Sequence, residues 1–177
     1  MSDNLINQAN HQQNLAQLIH WTIQGKIAVK TPEERFSATL HWQQENDTYK
    51  IRLTNIIGST LLELEGNAEY AKLTLDDEHY IDTDPERLLY RTTGWQLPVK
   101  SLPALIKGYA PPETFDTKLD SAGFPKEVQE KHSLSPSPWI ITYKGFEQNK
   151  QYWLPENITL KKSPNIIKIR INQWQLI

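Results

Sequence analysis

Two acidic arrangements are the first places to look for chemistry in this chain. Glu63 and Glu65 stand two positions apart in Leu61-Leu62-Glu63-Leu64-Glu65, so on a strand they share one face. A carboxylate pair is the working group of glycoside hydrolysis. Asp76-Asp77-Glu78-His79 is the densest acidic run and has the oxygen ligands a weak cation site needs. The first pair lies on the wet face of its strand, opposite Leu62 and Leu64, where nothing raises a carboxyl pKa. The second falls where a hairpin needs its turn. The five histidines, His11, His20, His41, His79 and His132, show no ligand spacing and are expected to be solvated surface residues. No Gly-rich phosphate loop, Gly-x-Ser-x-Gly elbow or His-Glu-x-x-His helix is present in the sequence. The absence of cysteine excludes disulfides, thiolate metal sites and a Cys nucleophile. These observations predict a protein that is not an enzyme, with no catalytic residues, no metal and no cofactor.

A different kind of chemistry is suggested by Ile56-Ile57-Gly58-Ser59. Turns ordinarily carry Asn, Gly, Asp or Pro, yet two isoleucines occupy this tip. Apolar side chains at a tip either fold back on the core or serve a contact with something greasy.

The elements that position the tip are legible from period-two alternation. Tyr49, Ile51 and Leu53 alternate with Lys50, Arg52 and Thr54, and Leu62 and Leu64 with Glu63 and Glu65. Earlier in the chain, Trp21, Ile23, Ile27 and Val29 share a face, as do Ala38, Leu40 and Trp42. Strands at 70–75 and 79–82 complete a six-stranded meander. Asp84-Pro85-Glu86 is a helix start, with a capping Asp and Pro at the first helical position, and Gly94 is its stop. The spacing predicts a second short helix over 101–107, carrying Leu102, Leu105 and Ile106. Strands then resume at 114–119, 125–131, 139–144, 150–154, 158–162 and 166–174. Before all of this, 2–19 reads as a polar helix with a thin apolar stripe of Leu5, Ile6, Ala9, Leu15, Leu18 and Ile19.

With 177 residues the chain suits one domain, 1–177, able to bury a core without staples. It divides into an N-terminal helix (1–20), a β-meander (21–83), lid helices (84–108) and the remaining strands (114–177). The fold class expected is mainly β: about 11 antiparallel strands in an incomplete, half-barrel sheet, closed by the N-terminal helix and two or three short helices. A flat sheet of that many apolar faces could not be covered by three thin helices, so it should curl with its apolar faces inward. Pattern alone leaves both a filled core and a ligand cavity open. The interior set consists of Ile23, Ile27, Leu40, Trp42, Ile51, Leu53, Leu62, Leu64, Leu73, Leu88, Leu105, Ile106, Ile141, Ile169 and Ile171. A net charge of −2 with interspersed signs predicts no nucleic-acid partner, and a monomer is expected. No apolar run approaches a membrane span, and 1–20 lacks a signal peptide's basic start and apolar core.

The succession Trp42-Gln43-Gln44, Tyr49-x-Ile51-x-Leu53-Thr54-Asn55, Ile56-Ile57-Gly58-Ser59-Thr60 and Leu62-x-Leu64 resembles the LolB family of outer-membrane lipoprotein receptors. The likeness continues through 88–94, Pro98, Ser101-Leu102, Ile106-x-Gly108 and Ile167-x-Ile169-x-Ile171-x-x-Trp174. The resemblance implies an incomplete barrel around an apolar cavity. It implies receipt of acylated lipoproteins from a soluble periplasmic LolA-like carrier and delivery to the outer membrane, with no nucleotide hydrolysis. Membrane contact would fall to Ile56, Ile57 and Gly58, with Ile57 in the place of the family's tip Leu and Ile56 in that of its Pro. Losing the Pro is expected to loosen the tip. The location implied is the periplasmic face of the outer membrane. Family members are anchored through an acylated N-terminal Cys, and Met1-Ser2-Asp3 has none. The expectation is therefore a mature portion without signal and Cys, with a natural anchor-free relative as the alternative. A lipocalin-like carrier of free lipid or another small apolar ligand is the rival function, and a hydrolase on a jelly-roll sheet a more distant one.

Overall fold

The structure is a computed structural model that describes residues 8–177. Leu5 and Ile6 of the N-terminal stripe, with the side chain of Ala9, lie outside the described residues.

One sheet of eleven antiparallel strands carries the fold. Its first half is a meander of β1 (His20–Lys30), β2 (Arg35–Glu45), β3 (Thr48–Thr54), β4 (Thr60–Gly66), β5 (Ala71–Leu75) and β6 (Glu78–Asp82). Its second half comprises β7 (Phe115–Leu119), β8 (Pro125–Glu130), β9 (Ile140–Asn149), β10 (Tyr152–Lys162) and β11 (Asn165–Leu176). The halves are joined where β1 pairs antiparallel with β11, giving the order β6-β5-β4-β3-β2-β1-β11-β10-β9-β8-β7. The two edges, β6 and β7, do not pair with each other among the described residues, so the sheet stays open.

The alternation seen in sequence becomes the alternation of burial: Trp21, Ile23, Ile27 and Val29 of β1 are buried, and Gln24, Lys26, Ala28 and Lys30 are exposed. Gly25 marks the one close approach in this pair, since a Cβ there would lie 1.9 Å from the Arg170 carbonyl oxygen. The register against β11 shifts at the same point. Asp76 and Asp77 both have positive φ (51° and 62°), so they make the tight hairpin turn read from the sequence.

The helices lie against the concave, apolar side. In α2 (Pro85–Thr93) the Asp84 carboxylate accepts from the Glu86 and Arg87 N–H groups, and Gly94 closes the helix in the left-handed region. Leu88 and Leu89 are buried beneath it. The next helix, α3 (Leu102–Leu105), is one turn, shorter than the expected 101–107. At the N-terminus α1 (Gln8–Gln17) buries Leu15, and Leu18 is buried just beyond its end, whereas Ile19 is exposed because the chain has already turned into β1.

The strands expected at 150–154 and 158–162 are one strand, β10. Pro155 lies within it, and proline lacks a ladder donor. The ladder to β11 begins only at Asn157, so on that side the missing N–H forfeits no bond.

Candidate functional site

The β3–β4 connection projects from the sheet at the end opposite the Trp21–Trp42–Trp174 cluster. Ile56 is 98% exposed and Ile57 82% exposed. Their exposure is enforced by Asn55. Its carboxamide oxygen accepts from the Ile57 N–H (3.1 Å) and the Ser59 N–H (2.9 Å). Its backbone N–H donates to the Ser59 carbonyl (2.9 Å), and its carbonyl accepts from Gly58 (3.0 Å). Gly58 takes φ 88° with nothing within 4 Å of a would-be Cβ. An asparagine-centred set of hydrogen bonds closes the turn.

All fifteen side chains of the predicted interior set are buried. The structure divides them by role. Ile27, Ile51, Leu53, Leu62 and Leu64 line a wholly apolar cavity of about 40 Å³, together with Val29, Leu89, Trp95, Leu97 and Ile167. The other ten are buried outside that lining. Trp42 belongs to the far end, where Trp21 packs on Trp42 and Trp174 at 5.2 and 5.3 Å between ring centroids. Leu105 and Ile106 pack under α3, where the buried Tyr143 hydroxyl donates to the Leu105 carbonyl (2.6 Å). Burial pushes the Tyr143 phenol up from its ordinary pKa.

A cavity of about 40 Å³ has room for a few water molecules, each needing about 10–15 Å³. Pockets for drug-sized ligands hold about 300 Å³ or more. The space is smaller than that while α2 and the link after it cover it as a roof. Of the wall residues outside the predicted set, Val29, Leu89 and Ile167 carry an alternation or helical signal in the sequence. Trp95 and Leu97 lie in the irregular link after α2, where no periodicity points to them.

The roof is tied down at three places. The Asp82 carboxylate receives hydrogen bonds from Arg87 and Arg91 of α2, and the Arg87 bond above all holds the Asp82 carboxyl well below the usual carboxylate range. The Trp95 indole N–H donates to the Glu34 carboxylate in the β1–β2 connection (2.8 Å). Beyond α3, the buried Lys107 ammonium donates to the carbonyls of Leu15 (2.7 Å) and Leu18 (2.8 Å), at and just past the end of α1. Burial lowers Lys107 to about 8.

The acidic candidates occupy surface roles. Glu63 pairs with Lys50 (3.5 Å) and Glu65 with Lys72 (3.9 Å), cross-strand partners on the outer face. The surface reading of the histidines is corrected at His11. It is buried, its Nε2 lies 3.2 Å from the Trp153 carbonyl, and burial lowers its pKa. Its position on α1, packed edge-on against Phe124, brings it inside, where the polar run around it in sequence gave no sign.

An open antiparallel sheet with short helices on its apolar side is a fold this chain shares with solved structures. A LolA superfamily protein from Nitrosomonas europaea superposes with a TM-score of 0.62, covering 96% of this chain and 91% of that one at 10% identity. A DUF1329 family protein from Desulfovibrio piger gives 0.55 over 96% and 90% at 6% identity, so these neighbours show the fold alone. Within that class the chain belongs to the LolB family: the family described as outer membrane lipoprotein LolB matches residues 19–174. The outer-membrane lipoprotein LolB of Shewanella oneidensis is 34% identical over 164 residues, 93% of this chain and 76% of that protein. That of Pseudoalteromonas translucida is 38% identical over 166 residues, 94% and 81% respectively.

Proposed function

We propose that this chain receives the acyl chains of lipoproteins from a soluble LolA-like carrier and passes them to the outer membrane from its periplasmic face. The acyl chains occupy the space between the concave sheet and its roof, and Ile56 and Ile57 touch the bilayer. Family membership supports the lipoprotein-receptor role. The finer reading is carried by one observation: two fully projecting isoleucines held outward by a hydrogen-bonded turn. That arrangement has no value to a protein that only has to stay dissolved.

Each buried CH₂ is worth roughly 0.8 kcal/mol, so a sixteen-carbon chain resists water by about 12 kcal/mol. Passage must go directly from one apolar space to the next. Direction then comes from graded affinity, tighter here than in the carrier and weaker than in the membrane. Two isoleucines at a bilayer surface contribute about 3–6 kcal/mol if fully buried, which suits a passing contact.

The test is Ile57→Glu, read in two assays. Uptake of an acylated peptide should survive, and transfer to liposomes should fail. Survival of both would remove the tip from the mechanism and favour a lipocalin-like carrier of a free apolar ligand.

A further inference from the structure

At the root of the same loop, on the outer face of the sheet, lies a groove of about 600 Å³. Lys26 of β1 and Lys168 and Arg170 of β11 line it, with Thr39, Asn157 and Ile56 among the other walls. The sheet register brings the cations together: Lys26 stands directly opposite Arg170, and Arg170 opposite Asn157. One step along, Ala28 stands opposite Lys168, so a small side chain leaves the space open.

Lys50, Lys72, Arg87, Arg91, Lys100 and Lys131 each have a carboxylate within 4.0 Å, while cations such as Lys30, Arg35 and Lys144 have none among the described residues, so what sets the groove apart is that its three cations adjoin. Among the described residues Lys26, Lys168 and Arg170 take part in no ion pair. Lys26 donates to the Thr39 hydroxyl instead (2.8 Å). Glu156 feels Arg170, but Glu147 beside it is the larger influence and raises its pKa. The positive field extends along the face, where Arg52 and Lys26 add to burial in lowering the pKa of His41. Like charges placed directly across a strand pair destabilise a sheet, and a chain of net charge −2 is not short of acids to neutralise them. The cost is offset if an anion binds there. A guanidinium fork, two ammonium groups, a hydroxyl and an amide suit a phosphate, and the apolar wall at Ile56 suits a phosphate that carries lipid.

We propose that this groove receives the phosphate headgroup of an anionic membrane lipid while Ile56 and Ile57 enter the bilayer beside it. The proposal rests on the membrane-contact reading of the loop. It adds a lipid preference and a fixed orientation at the surface.

The experiment is co-sedimentation of the whole chain with vesicles of phosphatidylcholine alone or mixed with phosphatidylglycerol. It compares wild type, the double variant Lys168→Gln/Arg170→Gln, and Ile57→Glu. A basic side chain at an anionic surface is worth about fivefold in binding, so the double variant should lose about 25-fold on the anionic vesicles at low salt. Its weak binding to neutral vesicles should persist. Wild-type preference for the anionic vesicles should fade as salt shortens the screening length to about 3 Å at 1 M. Both substitutions lie on the exposed outer face and relieve repulsion, so thermal stability should be unchanged or raised, which separates a lost site from a lost fold. Ile57→Glu should weaken binding to both vesicle types. If it weakens neither, the loop reading fails while the groove is judged by the double variant alone. The proposal is overturned if the double variant keeps the anionic preference, or if wild type shows none. Inorganic phosphate in excess at matched ionic strength should compete with the anionic vesicles. If phosphate binds the wild type and phosphatidylglycerol vesicles gain nothing over neutral ones, the groove is assigned to free phosphate and the proposal is overturned. Loss of uptake from the carrier with vesicle preference intact assigns it to an acidic protein surface, and again overturns the proposal.

Discussion

The indole N–H of Trp95 and the carboxylate of Glu34, 2.8 Å apart, join the link after α2 to the β1–β2 connection. Trp95 also packs on Phe36, 4.8 Å between ring centroids, and forms part of the wall of the apolar cavity. One side chain thus both roofs the cavity and latches the roof.

Removing the latch should ease uptake at little cost in stability. Glu34→Ala deletes an exposed hydrogen bond worth about 1 kcal/mol, or about 2–4 °C in melting temperature for a chain of this size. Acyl uptake should become several-fold faster. Trp95→Ala removes the roof itself and should cost about 1–3 kcal/mol, below the range for a fully buried tryptophan because Trp95 is half-exposed. Stopped-flow uptake of a fluorescent fatty acid, set beside urea unfolding, measures both.

Asn55→Ala tests whether the tip needs its shape. The substitution deletes the acceptor of the Ile57 and Ser59 N–H groups but leaves both isoleucines. Hydrogen exchange at those two amides should accelerate about tenfold or more, a loss of at least about 1.4 kcal/mol of local protection. Global stability should fall by less than about 1 kcal/mol because the site is exposed. Transfer to liposomes should slow, but less than for Ile57→Glu.

Lys107 makes a prediction about pH. Its folded-state pKa is lowered by burial to about 8, against an ordinary value of 10.5. Between those values the unfolded chain holds more protons, so stability rises with pH across that window. A neutral amine keeps two N–H donors for the Leu15 and Leu18 carbonyls, so the contacts survive deprotonation. The difference in unfolding free energy between wild type and Lys107→Met should therefore grow from pH 7.5 to pH 10. A flat or falling difference would mean that the ammonium is not desolvated.

Most of the architecture was legible because alternation on a half-buried sheet is a strong local signal. The α2 boundaries were legible because Asp84, Pro85 and Gly94 each act through their own backbone geometry. What was not legible depends on residues far apart in sequence. Trp95 needed Glu34, Lys107 needed the end of α1, and the outer groove needed β1 to meet β11 before Lys26 could face Arg170. The continuity of β10 through Pro155 was not legible either, since it depends on which side of the proline has a neighbour. The isoleucine tip could be found, but not the hydrogen bonds that close it, because they are made by the Asn55 side chain returning to its own turn.

The central claim is that an acyl chain lodges between the concave sheet and its roof. A diacylated lipopeptide with a photoreactive group at the acyl terminus, cross-linked in the complex and mapped by mass spectrometry, tests it most directly. The expected adducts fall on the cavity walls, at Ile51, Leu64, Leu89 and Trp95. Adducts confined to Ile56, Ile57 and the outer face, with those four unlabelled, would contradict it.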